Sequence, residues 1–324
     1  MNEKEFHIFE QLCALTQNGM KKTLSAYLKT KYSKVIETPD YIVAEGDIPV
    51  ALAAHMDTVF PKPAREVFYD RTKEVIWSPD GLGADDRAGI FAIMQIIKRG
   101  LRPHIIFTTD EEIGAAGAVA LACDACPFKD LRFVIQLDRR GVDDCVFYDC
   151  DNKKFIDFIE DYGFVEAIGS FTDISLICPD WGVAGVNLSI GYRDEHSIGE
   201  VLFVKHWKAT IDKVEKILCT ENLPRFEYVA RKNSNGIWYS SYLKNQANKC
   251  TCVKCGFCGG PSELIPAKTA DLKWHYYCPD CITDKIQWCH SCGEAYELPS
   301  EGHNLGLCED CFYDFYYPTN TARL

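Results

Sequence analysis

No apolar run in this chain reaches the roughly 18 residues that a membrane-spanning helix needs, so no membrane partner is expected. The first ten residues are charged and lack the apolar stretch of a signal peptide, which makes the cytoplasm the expected address. Basic charge is also in short supply. Against 35 Lys and Arg stand 47 Asp and Glu, a net charge of −12. Such a chain is a poor general partner for nucleic acid or an anionic membrane surface. With 47% hydrophobic and 25% charged residues, a disordered chain, a coiled coil and a collagen-like repeat are excluded. The length of 324 residues suits about two domains and buries a full core without covalent staples.

Cysteine is plentiful, with 17 residues, and its distribution matters more than its number. Seven are scattered before residue 250 amid apolar neighbours, and ten lie between Cys250 and Cys311. Without a secretion signal, isolated cysteines read as small core residues and clustered pairs as metal ligands. Residues 1–222 alternate short apolar runs of strand type, as at 50–54, 104–108, 133–137 and 183–190, with amphipathic stretches at 4–17, 85–99, 155–159 and 200–219. Helices alternating with strands predict an α/β sandwich, three layers with a mixed, largely parallel sheet. Residues 223–249 carry five basic residues and one acid and include Asn233-Ser-Asn-Gly236, which predicts a linker. Residues 250–324 form a cysteine-dense module with five basic residues and ten acids.

Polar residues cluster where the predicted strands and helices end. His55-Met-Asp57 follows the 50–54 strand, and Asp85-Asp86 opens the 85–99 helix. Asp110-Glu-Glu112 follows the 104–108 strand, Asp138 ends the 133–137 strand, and His196 follows the last strand after a loop. Each alone has a plain structural explanation, as a helix cap or a solvated acidic face. Together they suit a site at the carboxyl edge of a sheet, and imidazole with carboxylate is a ligand set for zinc-like cations.

The segments Val50-Ala-Leu-Ala-Ala-His-Met-Asp-Thr-Val59, Gly81-Leu-Gly-Ala-Asp-Asp-Arg-Ala-Gly89 and Phe107-Thr-Thr-Asp-Glu-Glu-Ile-Gly114 resemble the metal-binding signatures of the di-zinc exopeptidases. That superfamily includes peptidase T, glutamate carboxypeptidase and bacterial leucine aminopeptidase, and the resemblance covers about residues 45–219. It implies that His55 and Asp138 bind a first zinc, Glu112 and His196 a second, and that Asp85 bridges them. It further implies that Asp57 orients His55 and that Glu111 is the general base. Only 33 residues separate Asp138 from Thr172-Asp173, too few for the lid domain that many such enzymes insert there. Arg139 and Arg140 are unusual beside that ligand position. They are either contacts for a substrate carboxylate or surface salt bridges, the second being the plainer account.

Four Cys-x-x-Cys pairs, Cys255/Cys258, Cys278/Cys281, Cys289/Cys292 and Cys308/Cys311, provide ligands for two structural zinc ions in a zinc-ribbon or treble-clef-like module. Sequential and cross-braced pairings are both open. The acidic charge of the module suits a protein partner rather than nucleic acid. The expected protein is therefore a zinc-dependent exopeptidase acting on a peptide or small amide, most simply an aminopeptidase, with two catalytic and two structural zinc ions. A deacylase of N-acyl amino compounds and a non-enzymatic interaction protein on a peptidase scaffold are the alternatives.

Overall fold

The computed structural model describes residues 1–169 and 171–231 and, beyond them, six short strands. The chain divides into two compact units, Met1–Ser240 and Ser241–Leu324. The first unit runs α1 (Glu3–Cys13), α2 (Gln17–Lys29), β1 (Lys34–Glu37), β2 (Tyr41–Glu45), β3 (Ile48–His55), β4 (Phe68–Asp70), β5 (Val75–Trp77), α3 (Ala84–Lys98) and β6 (Pro103–Thr108). It continues with α4 (Ala116–Cys123), β7 (Phe133–Arg139), β8 (Asp144–Val146), α5 (Lys153–Glu160), β9 (Val165–Glu166), α6 (Ile174–Trp181), β10 (Gly185–Ser189), β11 (Tyr192–Arg193), β12 (Val201–Phe203) and α7 (Val204–Leu218).

Eight strands form one sheet in the order β1-β2-β6-β3-β7-β10-β8-β9. Its centre, β6, β3, β7 and β10, is parallel, while β1 and β2 run antiparallel on one side and β8 turns antiparallel on the other. Alternate residues of β3 explain its unbroken apolar sequence. Val50, Leu52 and Ala54 enter the large core beneath α1, α3 and α7, while Ala51 and Ala53 are buried on the opposite face. The result is helix, sheet, helix. The core is anchored by the stacked rings of Phe91 and Trp207, 5.0 Å apart, which lock α3 to α7.

Gly89 sets how closely α3 lies on the sheet. A Cβ there would fall 2.2 Å from the Leu137 carbonyl oxygen and 2.4 Å from an Asp86 carboxylate oxygen, so only glycine allows this approach beside Asp138.

Three parts of the first unit depart from the sequence expectations. Val201–Phe203, expected as the first turn of a helix, is the strand β12, which joins β11, β5 and β4 in a small antiparallel sheet, and α7 starts only at Val204. The amphipathic stretch 4–17 ends as a helix at Cys13, and Thr16 caps a second helix through the Gly19 N–H. Residues 223–231, assigned by composition to the linker, contribute to this unit. Leu223 and Phe226 are buried, Phe226 against Phe133, Phe155 and Phe158, and the Phe226 N–H donates to the Arg132 carbonyl. The scattered cysteines Cys13, Cys145, Cys150 and Cys178 are buried free thiols, and burial pushes the first two up to about 12.

In the second unit β13 (Cys250–Thr251) pairs with β14 (Cys258–Gly259). Strands β15 (Ile265–Lys268), β16 (Trp274–Tyr277), β17 (Ile286–Trp288) and β18 (Ala295–Glu297) form a sheet ordered β16-β15-β18-β17. Of the expected zinc ligands, Cys258 lies in β14. Cys255, Cys278, Cys281, Cys289, Cys292, Cys308 and Cys311 lie outside the described residues. Among the described residues no helix is long and apolar enough to cross a membrane.

Candidate metal centre

Because β3, β6 and β7 are parallel neighbours, their carboxyl ends share one edge of the sheet. That edge brings together His55 and Asp57 after β3, Glu111 and Glu112 after β6, and Asp138 at the end of β7. The start of α3 adds Asp85, and the loop after β11 adds His196. All seven residues expected at the site meet there.

His55 is the hub. Its Nδ1 lies 3.2 Å from Asp57 Oδ1, and its Nε2 lies 3.0 Å from Asp85 Oδ1 and 3.4 Å from Asp138 Oδ1. Burial alone would lower its pKa, but the charges of Asp138, Asp57 and Asp85 raise it well above the ordinary value. Asp85 reaches the second imidazole with its other oxygen, 3.2 Å from His196 Nε2, and that nitrogen is 3.0 Å from Glu112 Oε2. Burial opposes the Asp85 charge, yet its bonds to His196 and His55 hold its carboxyl well below the usual carboxylate range.

The adjacent acids Asp85 and Asp86, joined by a cis peptide bond, divide two tasks. Asp86 is fully buried and accepts the Gly89 N–H at 2.9 Å and the His55 N–H at 3.3 Å, so it organises backbone. Asp85 turns its carboxylate to the imidazoles. The capping explanation thus fits Asp86 and not Asp85.

Asp57 holds more than His55. It accepts the N–H groups of both Glu111 and Glu112 at 3.0 Å, and thereby fixes the loop that carries them. The buried Arg87 donates to the Asp57 carbonyl at 2.5 Å and to the Leu15 carbonyl at 3.1 Å. Gln17 clamps the same loop from α2, through reciprocal bonds with Asp110 of 2.8 and 3.0 Å. Asp138 accepts Thr172 Oγ1 at 2.8 Å, Gln136 Nε2 at 3.0 Å and the Tyr192 hydroxyl at 3.2 Å. Glu200 accepts the N–H groups of Ala84 and Asp85 at 3.0 and 2.9 Å, where Gly83 offers no side-chain cap to α3.

Sequence reasoning did not single out Arg87, Glu200, Thr172, Asn187 or Tyr192 as supports of the site. Arg87 stands inside the quoted 81–89 segment and Glu200 directly before the apolar run 201–203, and a charge in such a place is the signal that could have marked them.

The donors suit a divalent cation. His55, Asp85 and Glu112 present ligand atoms all within 4.8 Å of one another, and so do His55, Asp86 and Asp138. Glu112 Oε1 is buried and has no hydrogen-bond partner among the described residues, and the same holds for Asp173 Oδ1. Burial and neighbouring charge push Glu112 up to about 7, Asp138 to about 6 and Asp173 to about 7. Negative charge in excess, with an unsatisfied buried carboxylate oxygen, is what a bound cation would compensate.

Beside these groups opens a cavity of about 260 Å³ lined by Asp85, Glu111, Asp138, Tyr148, His196 and other residues. Burial raises Glu111 to about 10; His55 opposes the shift, and Asp138 and Asp173 add to it.

No protein-family model matches the sequence, and no curated protein matches it. Solved structures share the fold. The TET aminopeptidase of a marine sediment archaeon of the Thaumarchaeota superposes with a TM-score of 0.54 at 13% identity, over 68% of this chain and 98% of its own. An aminopeptidase from the archaeon Desulfurococcus kamchatkensis gives 0.53 at 14% identity, over 74% and 97%. A tripeptidase from Staphylococcus aureus gives 0.50 at 16% identity, over 67% and 98%. At such identities the likeness is one of fold.

Proposed function

We propose that this chain is a metal-dependent hydrolase that cleaves an amide or peptide bond of a small substrate, and that it acts as an aminopeptidase. The observation that carries the reading is the meeting of two imidazoles with the carboxylates of Asp85, Glu112 and Asp138 on the wall of a cavity that Glu111 also lines. His55 and Asp138 would hold one cation, Glu112 and His196 a second, and Asp85 would share its two oxygens between them. When bound, such a pair supplies Lewis acidity and water of lowered pKa.

The chain's own residues supply the rest. Asp57 keeps His55 Nδ1 occupied, which leaves Nε2 as the ligand atom. Glu111 does not belong to either candidate ligand group and sits on the cavity wall; once bound cations offset the burial and the neighbouring acids that raise it, its carboxylate could take a proton from the attacking water and pass it to the leaving nitrogen. The acids of the wall suit the free ammonium of an unblocked peptide. An N-acylated substrate offers no cation there, which separates an aminopeptidase from a deacylase.

The zinc ions of the cysteine module, its role in protein contact and the cytoplasmic address belong to this same reading. They rest on the residue spacing and charge of the sequence alone.

The test is a panel of aminoacyl-peptides and matched N-acyl compounds, offered to zinc-loaded full-length protein. Hydrolysis of the unblocked members supports the reading. Hydrolysis of the N-acyl members alone would replace it with a deacylase, and none at all would return the chain to an inert scaffold.

A further inference from the structure

The sequence left Arg139 and Arg140 between two roles, and the structure separates them. Arg140 also lines the cavity, but it is 65% exposed and its guanidinium is already engaged 2.5 Å from Glu195, an ion pair open to solvent. Arg139 is only 15% exposed. Its Nη2 donates to the Ile168 carbonyl at 3.3 Å, Asp144 stands off at 3.6 Å, and its Nε has no hydrogen-bond partner among the described residues. A guanidinium has five N–H donors, so this one is half-desolvated and underused.

Its placement is built into the sheet. Neighbouring residues of a strand point to opposite faces, yet Asp138 and Arg139 line the same cavity. The β7–β10 register shifts between Asn187 and Ser189, and Asn187 clamps the Asp138 backbone with bonds of 2.9 and 2.8 Å. Such an irregularity re-aims side chains at a strand end.

We propose that Arg139 recognises a carboxylate of the substrate, so that this site selects short peptides bearing a free carboxylate close to the scissile bond. The proposal rests on the peptidase reading. Arginine meets a carboxylate with a planar, two-pronged pair of N–H donors, and such a contact gains strength in a desolvated wall. The same cavity then offers acids to an ammonium and a guanidinium to a carboxylate, the two charges of a small zwitterionic peptide. The carboxylate is either an acidic side chain or the C-terminus of a very short peptide.

Two matched pairs distinguish these sources in zinc-loaded full-length protein: Glu-Ala amide against Gln-Ala amide, and Leu-Ala against Leu-Ala amide. In the wild type kcat/KM favours the carboxylate member of at least one pair by about tenfold or more, as a charge-assisted contact should. A preference in the first pair names the side chain, and one in the second names the C-terminus. Arg139→Gln brings that ratio close to one, whereas Arg140→Gln leaves it standing. Arg139→Lys, which keeps the charge and loses the planar fork, recovers part of it. Melting temperature and zinc content establish that the variants fold, and the wild-type ratio with Arg139→Lys decides the matter if Arg139→Gln does not. No preference in either pair, or one that survives loss of Arg139, overturns the proposal. If none of the four compounds is cleaved, the peptidase reading fails first and this proposal falls with it.

Discussion

Glu111 and Glu112 are neighbours held by one acceptor, Asp57, yet they face different tasks. Glu112 stands 3.0 Å from His196, and its second oxygen has no hydrogen-bond partner among the described residues, which suits the ligand role proposed for it. Glu111 lines the cavity, which suits the role of base proposed for it. Glu111→Gln should therefore lower kcat by about 10²–10⁴ while zinc content stays near that of the wild type, because an amide cannot take a proton. Glu112→Gln should lose zinc along with activity. Parallel turnover and elemental analysis of the two variants check this, and indistinguishable zinc content would show the roles misassigned.

The crowding of acids also gives the metal-stripped protein a definite pH response. Glu111, Glu112, Asp138 and Asp173 bind protons more tightly folded than unfolded, with values of about 10, 7, 6 and 7. Between the unfolded carboxylate range and those values the native state carries the extra protons, so stability falls as pH rises. His55, raised well above its ordinary value, acts in the same direction. Asp57 and Asp85 are lowered and lose their contribution only in more acid solution. Thermal melting of the zinc-free chain should thus drop from pH 5 to pH 8, and added zinc should raise it more at pH 8, where the ligands are already deprotonated. A flat profile without metal would contradict the burial of charge described here.

Among the elements, α3 carries the greatest responsibility, since it delivers Asp85 and its first N–H groups depend on Glu200. Glu200→Ala leaves two buried donors without an acceptor, a loss of about 1–3 kcal/mol, and should weaken zinc retention because Asp85 loses its support. Denaturant unfolding with a zinc-competition titration measures both. Loss of stability with unchanged zinc affinity would confine Glu200 to the fold.

Elements that bury both faces were the legible ones. The apolar runs of β3, β6 and β7 and the stripe of α3 stand out in sequence, and so did the polar residues at their ends. The small sheet of β4, β5, β11 and β12 did not. Its strands have two or three residues, its two local pairs are joined only through the distant pairing of β5 with β12, and Val201-Leu-Phe203 reads equally as a turn of helix. Helix α4, Ala116–Cys123, is apolar nearly all round and shows no period to detect. Within the site the ligand-type residues were readable because their chemistry is distinctive. The partners that aim them, Thr172, Asn187 and Tyr192, are ordinary polar residues whose role exists only once strands 7 and 10 are adjacent.

At the scale of the whole chain, the candidate chemistry lies wholly within the first unit. Its core extends past residue 222, because Phe226 is packed among Phe133, Phe155 and Phe158. A chain ending at Arg231 should fold and hydrolyse dipeptide-sized substrates. One ending at residue 222 should be less stable by about 3–5 kcal/mol, the order of a lost buried phenylalanine. Melting curves and kcat/KM of both check this. An insoluble or inactive 1–231 chain would show that the second unit completes the fold or the pocket.

The central claim is that Asp85 joins two cations. Elemental analysis of the zinc-reconstituted 1–231 chain, wild type against Asp85→Ala, tests it most directly. About two zinc ions per wild-type chain are expected from the ligand count, since His55 with Asp138 and Glu112 with His196 each complete a set around Asp85. Fewer than one should remain in the variant. Zinc content that is negligible in the wild type, or the same in both, would contradict the account.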